Sequence, residues 1–118
     1  MAWAVAVSPQ FEIWYVELSE AEQESVEFTI RLLEELGPAL GRPYADTVYG
    51  SRHANMKELR AQHAGRGYRI FFAFDPDRVA VVLLGGIKND QTRWYNRMIA
   101  AADDLFDAHL AKRKSKKR

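Results

Sequence analysis

Apolar and polar positions along the chain alternate with two periods, and the switch between them marks the elements. Residues 2–7 (AWAVAV) read as a short strand of small and β-branched side chains. Ser8 followed by Pro9 matches an N-cap with proline at the first helical position, opening a brief helix through Phe11, Trp14, Tyr15 and Leu18. Ser19 with Glu22 three residues on is a capping box. It predicts a helix from about Glu20 to Leu36, with Val26, Ile30, Leu33 and Leu36 on one stripe and Gly37-Pro38 as its stop. After an irregular connection over 38–54 come three candidate strands, about 56–63, 68–74 and 79–86. The last, VAVVLLGG, is almost continuously apolar, as a strand buried on both faces should be. Asn89 or Asp90 can cap a final helix that turns Tyr95, Met98, Ile99, Ala102, Leu105, Phe106 and Leu110 inward. The order β-α-α-β-β-β-α predicts an α+β fold: a small, mostly antiparallel sheet, helices on one face as a hairpin, and a C-terminal helix. One domain over 1–111 is expected, with the basic stretch 112–118 too charged to pack and therefore disordered.

The segment KELRAQHAGRGYRIFFAF (57–74) departs from a plain two-sided strand pattern. A two-residue turn at Gly65-Arg66 would use the glycine's access to positive φ and would pair Gln62 with Arg69 and Arg60 with Phe71. Alternation then places Leu59, Ala61, Ile70, Phe72 and Phe74 on one face, and Glu58, Arg60, Gln62, Arg69 and Phe71 on the other. Arg60 and Arg69 become diagonal neighbours, about 7–8 Å apart. Glu58 offsets only part of their repulsion, so the pair calls for an anion, and a phosphodiester suits the guanidinium fork. A solvated arginine face is the competing account of the same spacing.

Composition narrows the partner. With 118 residues the chain suits one domain, and the lack of cysteine excludes disulfides, thiolate metal sites and a catalytic cysteine. MAWAVAV lacks the basic flank of a signal peptide, and no stretch approaches the roughly 20 apolar residues of a membrane span, so a cytoplasmic protein is expected. The net charge of +1 conceals a gradient: residues 1–41 hold eight acidic side chains and one basic, whereas 112–118 hold six basic and no acidic ones. Lys88 follows the last strand, and Arg93, Trp94, Tyr95 and Arg97 open the last helix. Cations interleaved with aromatics suit a single-stranded nucleic acid, whose bases stack while its phosphates are neutralised. For Tyr95, core packing explains the position equally well.

KELR, GRGYRIFFAF, the strand ending GGIK and the Ala-rich last helix, in this order, resemble the RelE/ParE superfamily of type II toxins, in its HigB-like, phage-derived branch. LGPALGRPYADTVYGSRHANMKELR is similar to the usual lead-in of that group, and the resemblance spans roughly 3–108. It implies an endoribonuclease that cuts mRNA, in many relatives only on the ribosome, with no metal or organic cofactor. It also implies a cognate antitoxin, often a helix-turn-helix protein, that neutralises the toxin. On this likeness Arg69 of GYRI, Arg60 of ELR, Lys88 and Tyr95 are the site residues, with Trp94 as the alternative register for Tyr95. Where some relatives carry a lysine on the first hairpin strand, this chain has Glu58, with Lys57 facing the other way.

RNA cleavage by the 2′-OH needs a base at that hydroxyl, cations at the phosphoryl oxygens and an acid at the leaving oxygen. Arg60 and Arg69 are expected on the phosphate, Lys88 in charge stabilisation or proton donation, Glu58 as base and Tyr95 as a stacking platform. Lys57, Arg66, Arg93, Trp94 and Arg97 are the further candidate RNA contacts. His53, His63 and His109 lack metal-site spacing, and His53 is the histidine best placed to join the site because its loop leads into the arginine strand. Two other functions remain open on sequence: a non-catalytic binder of RNA or antitoxin, and a ParE-like gyrase inhibitor.

Overall fold

The computed structural model describes residues 2–116. Its elements are β1 (Val5–Val7), α1 (Pro9–Val16), α2 (Glu20–Leu36), a single 3-10 turn (Gly37–Ala39), β2 (Ala45–Thr47), β3 (Lys57–His63), β4 (Arg66–Phe74), β5 (Ala80–Ile87) and α3 (Thr92–Lys116). Five strands form one sheet in the order β1-β5-β4-β3-β2, antiparallel except for the β1–β5 pair. The α+β class and helix order follow the expectation, with β2 added.

Both early helices begin as their caps dictate. Ser8 Oγ accepts from Phe11 N, and the Ser19–Glu22 box closes in both directions, at 2.8 and 3.2 Å. They cover one face of the sheet, where Phe11, Val26 and Leu33 pack on Leu59, Tyr68, Ile70, Phe72 and Val82. On α2 the buried stripe is Val26, Thr29 and Leu33, whereas Leu36 is exposed because the chain turns away at Gly37. Tyr68 is fully buried, and its hydroxyl reaches the Glu22 carboxylate.

The helical hairpin thus lies on one face of the sheet, as expected. The opposite face carries α3, with Ile99, Ala102 and Phe106 buried on Met56, Phe71, Ala73, Val81 and Leu83. β5 is apolar throughout for this reason: Ala80 and Val82 serve one core, Val81 and Leu83 the other. α3 also continues through Lys116, past the boundary expected at 111. Arg113 there pairs with both oxygens of Asp77, at 2.7 and 3.1 Å, and cations suit a helix C-terminus. Residues 117–118 of the expected tail lie outside the described residues. No helix among the described residues is long and apolar enough to cross a membrane.

The hairpin register also differs. Ala64 and Gly65, at φ 51° and 80°, form the turn, so His63 pairs with Arg66, Leu59 with Ile70 and Arg60 with Arg69. Two successive positive φ values are the signature of a type I′ turn, whose twist matches the strands. The shift is two residues, so every side chain stays on its expected face.

Candidate active site

The two arginines are direct cross-strand partners rather than diagonal neighbours. Like charges so placed repel, and Glu58 resolves the conflict. Its side chain is almost wholly buried, and Oε2 lies 2.9 Å from Arg60 Nε and 3.5 Å from Arg69 Nε. Asp46, from the short strand β2, accepts from Arg60 Nη2 at 3.3 Å and from Arg42 Nε at 3.0 Å. Thr47 N–H and then Arg42 hold the Asp46 carboxyl below its usual range. The arginine face therefore carries two counter-ions, the expected Glu58 and, in addition, Asp46.

Tyr95 closes the cluster from above. Its hydroxyl donates to Glu58 Oε1 at 2.9 Å and accepts from Arg69 Nε at 3.1 Å, while its ring meets Phe71 edge-on. Burial, then the Glu58 charge, raises its pKa, so the phenol stays protonated at neutral pH. The core-packing account of Tyr95 therefore holds for its ring, while its hydroxyl is turned into the arginine–Glu58 cluster.

Sequence features at the end of β5 bring α3 so close. A register shift in the β4–β5 pairing sets Phe71 opposite Leu84 but Phe72 opposite Val82, leaving Leu83 as the extra residue. The strand is thereby rephased, with Gly85 towards α1 and Gly86, the partner of Arg69, towards α3. A β-carbon on Gly85 would sit 2.3 Å from the Trp14 ring, and one on Gly86 would sit 2.8 Å from Met98 and 3.0 Å from Trp94. Two adjacent glycines let an aromatic ring onto each face of the sheet.

Lys88 lies beside the pair. Its backbone N–H donates to Gly67 O at 2.7 Å, and a β-carbon on Gly67 would be 3.3 Å from Arg69 Nη1 and 3.7 Å from Lys88 Cβ. Arg93 and Arg97 are exposed on α3 next to half-buried Trp94, whose ring stands edge-on to Tyr95 at 5.1 Å. Arg60, Arg69, Glu58, Tyr95 and Lys88 are therefore gathered in one place. Lys57 and Arg66 are not: Lys57 faces the α1–α2 side, and Arg66, at the hairpin tip, acts on Glu22. His53 is bound elsewhere, with Nε2 2.7 Å from Asp107 and its ring on Phe106. Asp46 was missed by sequence because a three-residue strand leaves no period to read.

Glu58, expected as a base, has both carboxylate oxygens occupied by donors. That geometry suits a fixed counter-ion better than a proton acceptor. Arg69 still has Nη2 without a partner among the described residues, and Arg60 has Nη1 in the same state. One unpartnered guanidinium nitrogen on each of two neighbouring strands can donate to one tetrahedral anion.

The family model described as phage-derived protein Gp49-like matches residues 14–107. HigB2 of Mycobacterium tuberculosis H37Rv, a candidate toxin by name, is 48% identical over 113 residues, 94% of this chain. The chain spans only 56% of the length of that relative. HigB3 of the same organism, also a candidate toxin by name, is 48% identical over 92% of this chain and 94% of its own length. Among solved structures, a free-state Escherichia coli RelE mutant superposes with a TM-score of 0.60 at 16% identity, covering 80% of this chain and 92% of its own. RelE in the RelE–RelB complex of Pyrococcus horikoshii gives 0.57 at 16% identity, over 77% and 100%. At such identity these structures establish the fold alone, but the sequence matches go further: the chain belongs to the Gp49-like, phage-derived family, with relatives named HigB.

Proposed function

We propose that the protein is the toxin of a toxin–antitoxin pair and acts as an endoribonuclease on mRNA engaged by the ribosome. The observation that carries this reading is the Arg60–Arg69 pair, fixed by buried Glu58 and capped by Tyr95, with Lys88 alongside. The scissile phosphate sits on the unpartnered guanidinium nitrogens, which stabilise charge that grows on the phosphoryl oxygens as the 2′-OH attacks. Lys88 extends that positive surface towards the leaving 5′ oxygen. Arginine holds its proton at all relevant pH values, so its role is electrostatic. The substrate supplies its own nucleophile: the 2′ oxygen bonds to phosphorus as the bond to the 5′ oxygen breaks, the 2′-OH proton passes to solvent water, and the Lys88 ammonium protonates the leaving 5′ oxygen. Glu58 acts as counter-ion and not as base.

Arg93, Trp94 and Arg97, exposed or half-exposed at the start of α3, line the approach as sequence-independent RNA contacts. Neutralisation by a cognate antitoxin, a helix-turn-helix protein, is part of the proposal. Its support is the named HigB relatives and the occurrence of the fold in a RelE–RelB complex.

The test maps new RNA 5′ ends in cells after brief induction of wild type and Arg69→Ala. In-frame cuts in translated messages are expected for wild type, reduced about 10²–10³-fold in the variant, the usual effect of losing one charge-stabilising contact. Equal cutting by Arg69→Ala refutes the assignment of the site. Growth arrest without new cuts refutes the nuclease and points to another target, such as gyrase.

A further inference from the structure

A cleft of about 780 Å³ opens beside the arginine pair, between α2, the chain just before β2, and the end of β3. Its size falls within the roughly 300–1,000 Å³ of small-ligand pockets. Arg60, Gln62 and His63 of β3 line it together with Arg69, and Phe28 of α2 and Tyr44, whose carbonyl takes the Arg60 N–H, supply its aromatic wall. Phe28 and Tyr44 are 49% and 39% exposed and meet edge-to-face at 5.8 Å, an arrangement that leaves aromatic surface open to solvent. Neither residue is among the candidate site residues read from the sequence.

We propose that this cleft is a nucleotide subsite. It takes the base of the nucleotide adjoining the phosphate on Arg60 and Arg69, stacked against the Tyr44–Phe28 pair, with the exposed Gln62 carboxamide at the edge of the base. The inference rests on the ribonuclease reading and deepens it. Polarity fixes the orientation, since Glu24 on the α2 wall disfavours a phosphate there, while Arg60 and Arg69 on the strands favour one. A single-stranded RNA matches this mixture of cationic, polar and aromatic surface, because its phosphates and bases alternate along one strand.

An extended polypeptide fits less well. β2 already pairs with β3 from Lys57 to Leu59, and Tyr44 O takes the Arg60 N–H at 2.8 Å. Only residues 61–63 remain as open edge, about 10 Å of strand at roughly 3.3 Å per residue. That is too short a ladder to hold a strand.

The experiment measures binding of the full chain to short 2′-O-methyl RNA, which cannot be cleaved, with single abasic positions introduced in turn. Loss of one stacked base weakens binding roughly 5- to 150-fold. One abasic position is expected to do this to wild type. Tyr44→Ala should weaken the intact oligonucleotide to the same degree and lose sensitivity to that position, while Tyr44→Phe keeps both. Photo-crosslinking of 5-iodouracil RNA to wild type should mark Tyr44 or Phe28, a readout independent of how any variant folds. Crosslinks confined to Trp94 and Tyr95, or abasic sensitivity unchanged in Tyr44→Ala, overturn the subsite. If Arg69→Ala still weakens binding in that case, the ribonuclease reading survives; if wild type binds no RNA, the subsite falls, and the mapped cuts in cells decide the ribonuclease reading. Hexaglutamate that shields Tyr44 from iodination where RNA does not would assign the cleft to polypeptide and overturn the proposal.

Discussion

Replacing Glu58 by glutamine separates its two possible roles, counter-ion and general base. The substitution keeps the shape and one acceptor oxygen but removes the charge between two guanidinium groups. Side-chain exposure is 4% for Glu58 and 13% for Arg69, so that pair is effectively out of water. Removing one partner of a buried ion pair costs about 3–5 kcal/mol. Arg60 is 34% exposed and keeps Asp46 at 3.3 Å, which softens its share and favours the lower end, about 3 kcal/mol. At about 4 °C per kcal/mol for a domain of this size, Tm should fall by roughly 10 °C. The assay is thermal unfolding of wild type, Glu58→Gln, Arg60→Gln and the double variant, with RNA cleavage measured on each. If Glu58 is the counter-ion, removing Arg60 as well restores part of the stability, with a coupling of about 0.5–3 kcal/mol. If Glu58 is the base, Tm stays within about 2 °C, well under 1 kcal/mol, and cleavage drops about 10²–10⁴-fold. That second outcome refutes the counter-ion role of Glu58.

Two further substitutions test the elements that build the site. Gly85→Ala puts a β-carbon 2.3 Å from the Trp14 ring and should destabilise by about 1–3 kcal/mol, seen as a lower urea midpoint at unchanged m. Glu22 is held at a pKa of about 2, below its ordinary 4.5, first by the Tyr68 hydroxyl and then by Ser19 N–H. A depressed carboxyl stabilises fully above its unfolded value, and the contribution is lost as pH falls from about 4.5 towards 2. The Tm gap between wild type and Tyr68→Phe should therefore be widest near neutral pH and narrow through that window, and a gap independent of pH contradicts the assignment.

Local chemistry made much of this structure legible. Ser8-Pro9 and the Ser19–Glu22 box locate both early helices because a cap is a contact within four residues. The continuous apolar run of β5 correctly signalled two covered faces. The hairpin turn was misplaced because glycine at 65 satisfies either choice, as first residue of a II′ turn or second of a I′ turn. The second choice requires Ala64 at φ 51°. It sets Leu59 opposite Ile70 and Ala61 opposite Tyr68, all four buried, and the left-handed alanine is tolerated for that packing.

Contacts far apart in sequence were not legible. Asp103 is buried and accepts from Ser51 Oγ and Arg52 N, while Asp104 and Asp107 take the Arg52 guanidinium. Nothing around residue 103 announces this, since an aspartate in an acidic helix stretch reads as solvated. The same holds for Asp46, whose neighbours Ala45 and Thr47 carry no strand pattern of their own.

These counter-ions change how the site must work. Arg60 and Arg69 are balanced by Glu58 and Asp46, so an approaching phosphate meets a cluster with little net attraction of its own. What the carboxylates provide is position: two guanidiniums held side by side across one register pair, where without Glu58 they would splay into solvent. An arrangement of this kind gives up ground-state affinity and keeps orientation, which favours the transition state, where phosphoryl charge is greater, over the resting strand. Affinity then has to come from outside the pair. Lys88, Arg93 and Arg97 are exposed around it, the cleft offers stacking, and a ribosome-held message would arrive already positioned. On the proposed function, a weakly attractive but rigid centre would select RNA delivered by something else and spare free RNA that meets the arginines alone.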